Sequence, residues 1–183
     1  MHRGGECLGV AFRRGNWRSW RDDVIMTATL GQFVHCEILL RGRAYASIDG
    51  VGGFMRSRYA RHDTPEWMVV QVPLKRPELA LAPVLEILSQ GLKYNDSDLW
   101  QCCVSVMLPW ESELDCERPE TWHPTGVFCS QVALLLLRRL VHIGAVDLGA
   151  HCNGLLEATH SRGCSPNALF HLLTARAAVM PKL

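Results

Sequence analysis

Residues 128–137 read Phe128-Cys129-Ser130-Gln131-Val132-Ala133-Leu134-Leu135-Leu136-Leu137. Pro124, Thr125 and Gly126 just before them are turn and breaker residues, so a helix is expected to begin after them. Val132 to Leu137 is apolar on every face, which suits a helix buried in a core. Arg138 and Arg139 then bring charge near the helix end, where cations are favoured. A thiol in the first turn feels the positive end of the helix dipole and the free backbone N–H groups. Both favour thiolate, the nucleophilic form. The ordinary role of a free cysteine is that of a small buried hydrophobe. A partner base is what separates the two roles.

Such a base lies upstream. Phe33-Val-His-Cys-Glu-Ile-Leu-Leu40 reads as a strand. Side chains alternate along a strand, so His35, Glu37 and Leu39 share one face and Val34, Cys36 and Ile38 the other. A histidine and a carboxylate therefore sit side by side. Arg41-Gly42-Arg43 is a hairpin-like turn, and Ala44 to Ile48 returns as an antiparallel strand. Asp49-Gly50-Val51-Gly52-Gly53 is next, a flexible loop; three glycines let backbone approach a neighbour or ligand closely. It lacks a trailing Lys-Ser/Thr, so it is not a phosphate loop.

The remaining elements fill in around this pair. Cys7 to Phe12 is a candidate buried strand, with a turn over Arg13 to Asn16. Trp20 to Leu30 places Trp20, Val24, Ile25 and Ala28 at helical spacing, as one amphipathic helix closed by Gly31. Trp67 to Val72 is a strand ended by Pro73. Glu78 to Leu92 is helical, with Leu79, Val84, Leu85 and Leu88 on its apolar side and Pro83 near its first turn. Asp96 or Ser97 caps a helix through Val106, and Trp110 to Thr125 reads as an acidic surface excursion. Ser165 caps the last helix, with Pro166 at its first position. The expected class is α+β, with a small antiparallel sheet and helices packed on one side.

Composition narrows the function classes. The chain has 183 residues, enough for one domain over residues 1–183, and 48% of them are hydrophobic. Nineteen basic residues against 18 acidic ones give a formal charge of +1, so no nucleic-acid partner is called for. Arg13, Arg14, Arg18 and Arg21 cluster, but Trp17, Trp20, Asp22 and Asp23 dilute them into a solvated face. The eight cysteines are expected to be reduced, since the core needs no disulfide scaffold. Met1 to Glu6 is polar, and no signal peptide is expected. An intracellular setting, cytoplasm or nucleus, is the resulting expectation. The longest apolar run is far short of a membrane span.

The ordered set of motifs resembles the permuted branch of the papain-like NlpC/P60 superfamily. That branch includes lecithin:retinol acyltransferase-like proteins, YiiX-type bacterial proteins, and poxviral and other large-DNA-virus relatives. There the histidine strand precedes the nucleophile helix. Cys7 to Phe12 resembles the opening strand, Trp20 to Leu30 the helix leading into the histidine strand, and Phe33 to Leu39 the "His-x-Glu" strand itself. Ser47 to Gly53 resembles the Ser- and Gly-rich hairpin return, and Lys93-Tyr94-Asn95 the break before the next helix. Phe128 to Gln131 resembles the "Cys-Ser-Glu/Gln" helix start, and Ser165 to Leu169 the "Ser-Pro-Asn-Asp-Leu" segment, with Ala168 where Asp is usual.

The resemblance implies a permuted papain-like fold with a Cys–His hydrolase or acyltransferase that works through a thioester and needs no cofactor or metal. Cys129 would be the nucleophile and His35 the base. The third group is Glu37 first and Ser47 second. One oxyanion donor would be the backbone N–H of Cys129. A peptide, isopeptide or other amide is the leading substrate, with lipid deacylation or acyl transfer next. The alternatives are a non-catalytic binding or virion-associated module and a zinc-stabilised nucleic-acid-binding domain. For zinc, the set is His151, Cys152, His160 and Cys164, whose spacing is not a standard ligand pattern. Taken alone, His35 reads as a satisfied core histidine, Glu37 as a carboxylate paired with Arg41 or Arg43, and Cys36, Cys102 and Cys103 as packing. Trp67, Trp100, Trp110 and Trp122 could line a groove, though large aromatics more often pack core or rim.

Overall fold

The computed structural model describes residues 6–48, 55–59, 62–89, 129–159 and 164–179. The glycine loop, the Lys93 to Asn95 break, the helix to Val106, the Trp110 to Thr125 excursion and Phe128 lie outside the described residues. The strands are β1 (Cys7–Arg14), β2 (Phe33–Leu40), β3 (Arg43–Ile48), β4 (Met55–Tyr59) and β5 (Trp67–Pro73). The helices are α1 (Trp20–Thr29), α2 (Leu81–Ser89), α3 (Cys129–His142), α4 (Ala150–Ala158) and α5 (Pro166–Val179). All strand pairs are antiparallel, in the order β4-β3-β2-β1-β5. The class is α+β with a small antiparallel sheet.

The central strand β2 is built for a site. It joins β3 through Arg41 and Gly42, both at positive φ (51° and 73°), a two-residue turn whose twist suits a hairpin. Its pairing with β1 runs from Gly9↔Leu39 to Arg13↔His35, and the next pair is Arg14↔Phe33. Val34 is thus the extra residue of a bulge beside His35. Bulges re-aim neighbouring side chains. On its other edge β2 pairs with β3 only from Ile38 to Leu40. β3 pairs with β4 on its other edge, from Arg43 opposite Tyr59 to Ser47 opposite Arg56 and Ile48 opposite Met55. The β2 edge at Cys36 is therefore free of β3, and the start of α3 comes to it.

One sheet face, with Leu8, Val10, Phe12, Ile38, Leu40 and Val72, packs into a single core with the α3 leucines and Leu156, Leu169, Leu172 and Leu173 of α4 and α5. In α3 every residue from Cys129 to Leu140 is buried except Arg139. Full burial of each leucine side chain stabilises by roughly 1.5–3 kcal/mol. Arg138 is also buried. Its guanidinium donates to the carbonyls of Leu156 and Glu157 at 2.9 Å and to that of Thr159, completing the C-terminal turn of α4. Ser165 caps α5 as expected, its Oγ accepting from the Ala168 N–H at 3.1 Å.

Four expectations need correction. β1 continues through Arg14, where a turn was expected. In α1 the buried residues are Asp22 and Met26, while Trp20 is exposed. The cause is polar: Asp22 accepts from Arg13 at 3.1 Å and from the Asn16 N–H at 3.0 Å, which turns the helix. The helix expected from Glu78 is a 3₁₀ turn (Pro77–Leu79) leading into α2. The tighter turn shifts the phase of α2, so Ile87 is buried and Leu85 exposed. Last, neither strand β4 nor helix α4 was expected.

Candidate active site

Three sequence-chosen residues come together. Cys129 is the first residue of α3, and only 2% of it is exposed. His35 and Glu37 are buried on β2. His35 Nε2 lies 3.3 Å from Glu37 Oε1. A carboxylate only accepts, so Nε2 carries the proton of that bond. The other ring nitrogen, Nδ1, is buried without a partner of standard hydrogen-bond geometry. The charge of Cys129 acts on the same ring.

The electrostatics separate the charges. Burial drives the His35 imidazole down, but the charge of the neighbouring Cys129, and then the hydrogen bond and charge of Glu37, outweigh it. The group is raised to about 9. The Cys129 thiol is held well below its ordinary value, first by the hydrogen bond from the Cys36 side chain and then, against the cost of burial, by His35 and the Cys36 backbone. Cys36 moves the opposite way, pushed up by burial and by its neighbour Cys129. One of two adjacent thiols takes the charge and the other donates to it. Cys164 is pushed up to about 12, chiefly by burial.

Cys36 therefore does more than the packing expected of it. It sits on the β2 edge that is not paired with β3, beside Cys129, whose ionisation it favours. Strand alternation puts His35 and Cys36 on opposite faces; a group at the strand edge, beside a bulge, is reached from both. Ser47 does not join them in the pairing. Extending the β2–β3 register would set it opposite Cys36, not His35, and pairing stops before that point. Its side chain lies outside the described residues.

His62 is the residue that sequence reasoning missed. Its Nε2 lies 2.8 Å from Glu37 Oε2, and its side chain is 4% exposed. Arg41, one of the two arginines expected beside Glu37, lies instead 3.7 Å from Glu6. Trp67 stands edge-on to both imidazoles, with ring centroids 4.3 Å from His62 and 6.2 Å from His35. Of the zinc set, His160 lies outside the described residues, and His151 is exposed on α4 while Cys152 is buried. No group of three or more His, Cys, Asp or Glu that could hold a metal occurs among the described residues. No helix among them is long and apolar enough to cross a membrane.

No protein-family model, curated protein or solved structure matches the chain.

Proposed function

We propose that the chain is a cysteine hydrolase of the circularly permuted papain-like (NlpC/P60) kind. The observation that carries this reading is the His35 imidazole. One nitrogen is committed to Glu37, and the ring bears on a helix-start thiol whose ionisation is strongly favoured. The histidine strand precedes the cysteine helix, which agrees with the permuted order.

In the reaction the Cys129 thiolate attacks a carbonyl carbon and forms a tetrahedral oxyanion. Collapse breaks the bond to the leaving group, which takes its proton from the His35 imidazolium. A thioester and a neutral imidazole remain. His35 Nδ1 then removes a proton from water as the water attacks the thioester. The acid leaves, and the thiolate–imidazolium pair returns. Glu37 holds Nε2–H throughout, which keeps Nδ1 free for this traffic. Peptide, isopeptide or other amide bonds are the leading substrates, and acyl esters or acyl transfer come next.

The near-complete burial of Cys129 favours a second reading, a non-catalytic module with a packing cysteine. Mass-spectrometric mapping of iodoacetamide labelling, wild type against His35→Ala over a pH series, decides between them. Fast labelling at Cys129 that needs His35 supports the hydrolase. Slow labelling, unchanged in His35→Ala, overturns it.

A further inference from the structure

We propose that His62 is a positioning residue of this site, holding Oε2 of Glu37 so that Oε1 stays on His35 Nε2; this rests on the Cys–His reading above. A carboxylate with only 2% exposure needs donors at both oxygens. His35 supplies one at 3.3 Å, and His62 supplies the other at 2.8 Å. Both bonds run through Nε2, so one carboxylate sets the tautomer of two rings. A neutral His62 then carries its proton on Nε2 with Nδ1 bare, and His35 keeps its Nε2 proton in either charge state. Both Nδ1 atoms are indeed buried without a partner of standard geometry.

The placement of His62 is built from several directions. It opens the connection to β5, whose next residues, Asp63 to Glu66, are all exposed. The segment thus turns one polar side chain inward. Its neighbour Trp67 is fixed by a hydrogen bond from its N–H to the Thr64 carbonyl at 3.0 Å and by pairing with Arg13. The Trp67 ring edge then walls the imidazole. The titratable groups around Glu37 include His35 and Cys36 on β2, His62, and Cys129 from α3. Without the His62 donor the buried carboxylate takes up a proton at higher pH. A protonated Glu37 no longer stabilises the His35 imidazolium, and the thiolate loses its counter-ion from the acid side.

The test is the pH profile of Cys129 labelling by iodoacetamide in His62→Phe and His62→Gln. Phenylalanine keeps a ring against Trp67 but has no donor; glutamine keeps an N–H donor that does not titrate. The expected result for His62→Phe is labelling about tenfold slower on the acid side, with the acid limb moved to higher pH, and recovery of most of the rate in His62→Gln. A His62→Phe profile that superimposes on wild type, or a glutamine variant as defective as phenylalanine, overturns the proposal. Should His62→Phe fail to fold, imidazole nitrogen NMR of the wild type decides. The proton is expected on His62 Nε2, and a proton on Nδ1 overturns the assignment. Loss of the His35 dependence in the wild type would instead sink the hydrolase reading and is seen separately.

Discussion

Asn167 grips the backbone of Phe33 from both sides, across 134 positions of chain. Its Oδ1 accepts from the Phe33 N–H at 2.9 Å, and its Nδ2 donates to the Phe33 carbonyl at 2.9 Å and to Thr29 Oγ1 at 2.8 Å. The first turn of α5 is thereby fastened to the start of the strand that carries His35. Gly31 is part of the same joint: a Cβ there would collide with the Asn167 side chain. Replacing Asn167 by alanine strands the buried Phe33 N–H and C=O groups and is expected to destabilise by about 3 kcal/mol. Urea unfolding measures it, and Cys129 labelling should slow as β2 loosens.

Glu37→Gln removes the charge at nearly constant shape. The Gln amide nitrogen must then face an Nε2–H donor of one imidazole, and the imidazolium of His35 loses its carboxylate. Labelling of Cys129 at neutral pH is expected to fall by about ten- to a hundredfold, since hydrogen bonds to charged groups contribute about 1.5–3 kcal/mol. A rate equal to wild type would remove Glu37 from the site.

Stability should be flat across neutral pH as far as the central pair is concerned. His35 is raised from 6.5 to about 9, so its contribution is full below 6.5 and declines as pH rises to about 9. Cys129 is lowered from 9.0, so its contribution is full above 9.0 and declines as pH falls. Between 6.5 and about 9 the folded state binds one proton more at His35 and one fewer at Cys129, and the two slopes cancel. Below 6.5 only the cysteine slope remains, and stability falls with acid. The difference in unfolding free energy between wild type and the Cys129→Ala/His35→Gln double variant isolates this. A steady slope through neutral pH would contradict the ion pair.

Arg138 is expected to resist exchange for lysine. One ammonium cannot match a planar fork that serves three carbonyls at the end of α4. Arg138→Lys should destabilise by about 1–3 kcal/mol, because buried acceptors lose their donors. Amide hydrogen exchange should show the loss concentrated in α4 and the last turns of α3.

Much of the site was legible because its parts obey local rules. A breaker cluster, then Cys129 and six apolar residues, marks a buried helix start. The alternation of Phe33 to Leu40 puts His35 beside Glu37. Ser165-Pro166 marks a capped helix. The rest obeys long-range rules. Residues 55–59, Met-Arg-Ser-Arg-Tyr, carry three polar residues in a row, so no alternation marks the strand. Nothing around His62, between Arg61 and Asp63, separates it from an ordinary surface histidine. In α1 Trp20 was placed on the apolar stripe but is exposed, because Asp22, buried and bonded to Arg13, turns the helix.

By itself, then, the sequence determined many of the described helices and strands and which thiol begins a buried helix, because backbone geometry and hydrophobic period are local. Only the tertiary structure decided which groups surround that thiol. The bulge at Val34, the short β2–β3 pairing that leaves Cys36 at a free edge, and the inward turn of His62 arise from contacts between distant segments. Buried charge is stabilised by whichever donors the fold brings within hydrogen-bond reach, and no spacing along the chain encodes that distance.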